Sequence, residues 1–126
     1  MAHRMKLFFD GGCRPAPIGM ELALVVRGQS YIQRDLGPGT AMDAEWLALI
    51  AAMRHAYRHG LVDAVLLGDA LAVIAQANGQ VRCPPSCVRH MEVFRSLPRP
   101  AGRLRIRYLK RTQNLAGIAL AALHGR

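Results

Sequence analysis

Lys6-Leu7-Phe8-Phe9-Asp10-Gly11-Gly12 is a short apolar run that ends in a carboxylate and two glycines. Read as a strand over residues 5–9, buried through Leu7 and Phe9, it brings an acid to its own C-terminal end and then turns on glycine. Asp-Gly after a strand is most often only a turn. Two further acids in matching contexts shift that weighting. Asp63-Ala64-Val65-Leu66-Leu67-Gly68-Asp69 is a second apolar strand ending in a carboxylate, and Glu45 stands in the first turn of a helix that must pack across both. A first-turn Glu also serves the helix dipole, so Glu45 alone carries little.

The rest of the chain fits around these points. The loop over 11–19 holds Pro15 and Pro17, and a second strand follows at 20–27. Gly28-Gln29 is a hairpin signal that leads into a third strand at 30–35, which Gly37-Pro38-Gly39 ends. Trp46, Leu49, Ile50, Met53 and Tyr57 recur at helical spacing and predict a helix over 43–59, capped by Thr40 or Asp43 and closed by Gly60. A fourth strand at 63–69 precedes helices at 71–77 and 86–96, a fifth strand at 103–110, and a last helix at 114–123 with Thr112 as its cap. The first three strands can pair antiparallel by hairpins. The last two need crossovers and join in parallel. The expectation is one α/β domain over residues 1–126, a mixed five-stranded sheet with helices on both faces.

Composition narrows the partners. Seventeen Lys and Arg against eight acids give a net charge of +9, which points to a polyanion. In Arg103-Leu104-Arg105-Ile106-Arg107-Tyr108 arginine alternates with apolar residues, so one face of that strand is cationic. An odd count of three cysteines (Cys13, Cys83, Cys87) does not make a disulfide framework, and Cys83, Cys87 and His90 together do not complete a four-ligand zinc site. The first residues lack the apolar stretch of a signal peptide, and no run is long enough to span a bilayer. A cytoplasmic protein without a membrane or an obligate protein partner is expected.

If the first and fourth strands are neighbours, Asp10 and Asp69 stand side by side and Glu45 closes over them. Three converging carboxylates repel one another, and a divalent cation resolves that repulsion. Hard oxygen ligands suit Mg²⁺ or Mn²⁺, and a pair of such ions suits in-line attack on a phosphodiester.

Over nearly its whole length the sequence resembles ribonuclease H type 1 and its reverse-transcriptase-like relatives. Phe9-Asp10-Gly11-Gly12 is similar to the family's first motif, and Thr40, Ala44-Glu45 and Ala48-Leu49 are similar to T-x-x-x-A-E-x-x-A-L. Asp69 with Leu71, Val73, Gln76 and Asn78-Gly79 resembles the bacterial D-S-x-L-V-x-x-Q-x-N-G run. Arg111, Gln113, Asn114, Leu120 and Ala121 resemble R-x-Q-N-x-x-A-D-x-L-A. The resemblance implies a ribonuclease H-like fold, with Asp10, Glu45 and Asp69 as metal-binding catalytic acids. It also implies Mg²⁺ or Mn²⁺ as cofactor and hydrolysis of the RNA strand of RNA–DNA hybrids. Duplex RNA is a second candidate partner, and Gly11, Gly12, Thr40, Gln76, Asn78 and Asn114 are candidate substrate contacts.

The chain departs from the family pattern at several points. The family's fourth carboxylate aligns with Ile118, which cannot bind a metal. Ala41 and Met42 replace two asparagines before the glutamate, and Ala70 replaces the serine after the third acid. No His-bearing loop lies between Lys110 and Thr112, and His124 reads as a tail residue. The family activity, with weakened metal binding, therefore competes with two other readings: a module that holds hybrid or duplex RNA without cutting it, and a protein-interaction domain. The last must explain the charge.

Overall fold

The structure is a computed structural model and describes residues 5–125, so the leader-free reading of residues 1–4 lies outside it. Its central strand, β1 (Met5–Arg14), is longer than its apolar run. Its pairing with β2 (Gly19–Val26) continues from Leu7 opposite Val26 through Asp10 opposite Ala23 to Arg14 opposite Gly19. Asp10-Gly11-Gly12 is therefore strand, and the expected loop over 11–19 shrinks to a turn at 15–18. Two glycines that read locally as a turn are held extended by this antiparallel ladder. On its other side β1 pairs in parallel with β4 (Ala64–Gly68) only as far as Phe8 opposite Leu67, so Asp10 lies just past the end of that ladder.

The hairpin to β3 (Gln29–Gln33) turns on Arg27 and Gly28, with φ of 53° and 75°. Two central residues with positive φ make the turn whose twist matches paired strands. This corrects the expected Gly28-Gln29 turn, and β3 begins one residue earlier and ends two residues earlier than expected. The last strand, β5 (Arg105–Tyr108), pairs in parallel with β4, and the sheet order is β3-β2-β1-β4-β5. β5 is shorter than the expected 103–110. The Arg103 amide donates to Asp63 Oδ1 at 2.8 Å instead of entering the ladder.

Helix α1 (Ala41–Arg58) begins two residues earlier than expected. Thr40 Oγ1 accepts from the Asp43 amide and Asp43 returns the bond to the Thr40 amide, both at 3.0 Å, so the two expected cap residues act together. Asp43 also meets His90 Nε2 at 2.8 Å, and the His90 bond followed by the Thr40 amide holds its carboxyl well below the usual carboxylate range. Helix α2 (Leu71–Ala77) starts without a side-chain cap because Ala70 has none to offer. A 3-10 turn at Pro85–Cys87 leads into α3 (Val88–Ser96). Helix α4 (Leu115–Ala122) is capped by Asn114 and not by Thr112, which lies in a 3-10 turn at Arg111–Gln113.

Odd-numbered positions of β1 (Leu7, Phe9) join Leu24, Trp46, Leu49, Met53, Leu66 and Phe94 in the main core, on the face that α1 covers. Even-numbered positions face α4, where Phe8 packs with Ala23, Val25, Ala116 and Leu120. Helices thus cover both faces of the sheet. No helix among the described residues is long and apolar enough to cross a membrane.

Glu21 on β2 is almost completely buried, 1% exposed. Its Oε2 meets His124 Nε2 at 2.5 Å and Arg14 Nε at 3.9 Å, while Oε1 lies 3.4 Å from Arg34 Nε without hydrogen-bond geometry. His124 is therefore a clamp between the end of α4 and the sheet, not a free tail. His124→Ala is expected to lower unfolding free energy by about 2 kcal/mol, because it strips the shortest bond from a buried charge. Urea melts measure this, and a loss under about 0.5 kcal/mol would show that the two arginines suffice.

Candidate active site

Three carboxylates meet where β1, β4 and α1 converge. Asp10 extends from β1 beyond the last β4 pair, Asp69 follows the end of β4, and Glu45, expected in the first turn of α1, is the fifth residue of that earlier-starting helix and so stands in its second turn. One oxygen from each lies within 4.8 Å of the others, and this is the one such cluster of metal-ligating groups among the described residues. Gly11 makes the convergence possible. A Cβ there would lie 2.1 Å from the Ala44 carbonyl oxygen and 2.7 Å from the Glu45 amide, so α1 rests directly on strand backbone. The Gly11 amide then donates to Glu45 Oε1 at 2.5 Å and fixes that carboxylate.

Asp69 is fixed differently. Asn114 is fully buried, and its Nδ2 donates to Asp69 Oδ1 and to the Phe9 carbonyl, both at 3.0 Å. Its Oδ1 accepts from the Ala116 amide at 3.1 Å, which caps α4. One side chain therefore ties β1, the end of β4 and the start of α4 together. Reading Asn114 as a helix-start residue captured one of these three bonds.

The cluster is electrostatically loaded. Burial first, then Asp69, pushes Asp10 up to about 7; the Arg111 guanidinium opposes this. Burial and then Asp10 push Glu45 up to about 8, against the Gly11 hydrogen bond. The carboxylates open into a cleft of about 410 Å³, also walled by Gly11, Ala41, Arg111, Gly117 and Ile118. Gly117 of α4 stands beside Asp10, where a Cβ would meet Asp10 Oδ2 at an ordinary contact distance of 3.5 Å. Ile118 is half exposed and brings an apolar side chain to the wall. The donors are hard carboxylate oxygens with no thiolate or imidazole among them, which fits Mg²⁺ or Mn²⁺ better than a softer ion.

The other candidate residues separate. Gly11 lines the cleft, whereas Gly12 faces Leu120 at 3.5 Å for an added Cβ. Thr40 caps α1 beside a neighbouring depression that holds Ser86 and Arg89. Gln76 is buried, 3% exposed, and accepts from Trp46 Nε1 at 3.1 Å, so it ties α2 to α1 and offers no surface to a ligand. Asn78 Nδ2 donates to the Ile106 carbonyl at 3.0 Å and holds the edge strand. Gln76 thus joins two helices, and Asn78 joins the end of α2 to β5. Arg111, which sequence reasoning placed in a motif but not in the site, stands on the cleft wall. Its signal was its position three residues before Asn114.

Known proteins place the chain. The reverse transcriptase-like family model matches residues 27–124, which include Glu45 and Asp69. Asp10 lies outside that match and joins through the fold. The N-terminal RNase H domain of a Mycobacterium tuberculosis protein, solved as a fusion with maltose-binding protein, superposes with a TM-score of 0.76 and 23% identity over 98% of this chain and 99% of that one. RNase H1 from Halobacterium salinarum gives 0.74 and 25% over 98% and 100%. LC11-RNase H1 in complex with an RNA/DNA hybrid gives 0.71 and 19% over 92% of each chain. A search of curated proteins gives no match. With the family model spanning most of the sequence and the same sheet and helices in these structures, the chain belongs to the reverse transcriptase-like family and carries its ribonuclease H fold.

Proposed function

We propose that this protein is a divalent-metal-dependent endonuclease that hydrolyses the RNA strand of RNA–DNA hybrids, acting as one domain over residues 1–126. The observation that carries the reading is the convergence of Asp10, Glu45 and Asp69 within 4.8 Å, two of them with pKa values raised by burial and mutual repulsion. A half-buried acidic cluster of this kind destabilises the fold unless protons or cations neutralise it. The fold shared with a hybrid-bound RNase H1 supports the substrate.

Asp10, Glu45 and Asp69 would hold Mg²⁺ or Mn²⁺, which when bound activates water and offsets charge on a phosphate. The chain's own groups supply positioning. The Gly11 amide holds Glu45, and Asn114 holds Asp69, so two of the three ligands are set before substrate arrives. Arg111 on the cleft wall offers a guanidinium to the phosphate oxygens. The rest of the surface would meet the duplex through backbone and 2′-hydroxyl contacts.

Ile118 favours a second reading, in which the same cleft binds hybrid or duplex RNA without cutting it. It puts a half-exposed aliphatic group on the cleft wall where the family pattern has a carboxylate. Cleavage of a labelled RNA–DNA hybrid, with Mg²⁺ and Mn²⁺ titrated separately, decides between the readings. Wild type that binds but never cuts in either metal is a binding module. If wild type cuts, Ile118→Asp is expected to raise the Mg²⁺-dependent rate by about tenfold or more, since losing even a group that only supports a metal ligand commonly costs a site that factor. A rate that stays at the wild-type value would show that position 118 does not limit the reaction.

A further inference from the structure

We propose that the groove along the outer edge of β5 is a second site for a nucleic-acid backbone, separate from the carboxylate cleft. The groove has a volume of about 370 Å³ and lies between the ends of α2 and α3 and the start of β5. Arg99, Arg103 and Arg107 line it, with the amides of Asn78 and Gln80, and no acidic side chain does. None of these three arginines forms an ion pair among the described residues. By contrast, Arg89 beside Thr40 is already paired with Asp43 at 3.3 Å.

The groove is built rather than improvised. Asn78 Nδ2 ties the end of α2 to the Ile106 carbonyl at 3.0 Å. Asp63 holds the segment before β5 by accepting from the Arg103 amide at 2.8 Å and donating its own amide to Ala101 at 3.1 Å. The Arg99 guanidinium lies over the Phe94 ring, 5.7 Å from its centroid. Three like charges held this way on fixed backbone repel one another until an anion sits between them.

Shape and chemistry specify the ligand class. Guanidinium forks and amide donors match phosphate oxygens. The cations are spread along a strand edge, which fits successive phosphates better than one small anion. Phe94, the aromatic ring in the wall, is 2% exposed, so the groove offers bases no stacking surface. Recognition would be of the backbone and blind to sequence. The groove shares no lining residue with the cleft and runs away from it. Leu109 donates to the Gly68 carbonyl at the level of Asp69; Arg107 lies two residues earlier, roughly 7 Å along the strand, and Arg103 six residues earlier, roughly 20 Å.

The inference rests on the proposed function only for the choice of nucleic acid, and its test needs no cleavage. Fluorescein-labelled RNA–DNA hybrid and single-stranded DNA are titrated with the full chain in EDTA across a salt series. The triple variant Arg99→Ala/Arg103→Ala/Arg107→Ala is compared with a control of equal charge, Arg27→Ala/Arg54→Ala/Arg58→Ala. The groove variant is expected to lose about tenfold or more in affinity for both probes. Its slope of log K against log salt should flatten by about 2 for the single strand and up to about 3 for the hybrid, one increment per lost phosphate contact. The control should flatten by less than about 1. A groove variant that melts like wild type and matches the control on both probes would overturn the proposal and leave only a generally basic surface. Groove-dependent binding with no cutting when Mg²⁺ or Mn²⁺ is added would overturn the proposed activity while leaving the groove assignment intact.

Discussion

Asp10→Asn is expected to abolish metal-dependent cleavage, by on the order of a thousandfold or more, while hybrid binding persists and the metal-free protein becomes more stable. Removing a ligand from the centre of the cluster should cost at least as much as removing one charge-stabilising donor from an active site. The stability gain follows from the sign of the pKa shifts. Asp10 is raised to about 7 and Glu45 to about 8, so the folded state favours their protonated forms. That stability is fully present below the ordinary carboxylate range and is lost as pH rises through about 7 and then about 8. In EDTA, wild type should therefore melt progressively lower between about pH 5 and pH 9, and Asp10→Asn should lose less.

Asparagine keeps the shape and removes one of the repelling charges. At about pH 8 its advantage should reach about 1 kcal/mol, or roughly 4 °C. Mg²⁺ or Mn²⁺ should raise the wild-type melting temperature above pH 7 and have little effect near pH 5, where protons hold the sites. Melting curves with and without metal at both pH values measure this. A wild-type protein insensitive to metal at high pH would remove the basis for a cation in the cleft.

Gly11→Ala should be the most damaging single methyl group that can be added near the site. Its Cβ would fall 2.1 Å from the Ala44 oxygen and 2.4 Å from its carbonyl carbon, a collision of backbone with backbone that no rotamer relieves. Either α1 lifts from the sheet or β1 bends. Both movements break the bond from the Gly11 amide that fixes Glu45. A loss of about 3 kcal/mol or more is expected, at the upper end for overpacking. Gly12→Ala is the control, because its nearest neighbour would be a mobile Leu120 methyl at 3.5 Å. Urea melts of the two variants should differ by about 2 kcal/mol or more. Equal melts would mean that α1 has slack against β1.

The three acids stood out in the sequence because each lies in a local pattern that needs no distant contact to be seen. Asp10 and Asp69 follow apolar runs, and Glu45 lies near the start of an amphipathic helix. Strand count, strand direction and helix placement followed from turn signals and crossover rules. The end of β1 did not follow. Asp10-Gly11-Gly12 has the local chemistry of a turn, and only the ladder to β2 keeps it extended. The Arg27-Gly28 turn was equally hidden, since an arginine with positive φ carries no composition signal.

Side-chain partners were the least legible feature. Gln76 and Asn78 sit in a motif that implied substrate contact, yet one bonds Trp46 and the other the edge strand. Glu21 read as an ordinary strand residue, and its burial against His124 joins positions 103 residues apart. The sequence by itself determined which elements form, which acids lie at their ends and how much positive charge the surface carries, because propensity, periodicity and composition are local properties. The tertiary structure decided how close Glu45 comes to Asp10, which asparagine holds Asp69, and which arginines line one groove beside β5. Those depend on packing between segments distant along the chain, and a single buried contact there outweighs the local preference of the residues that make it.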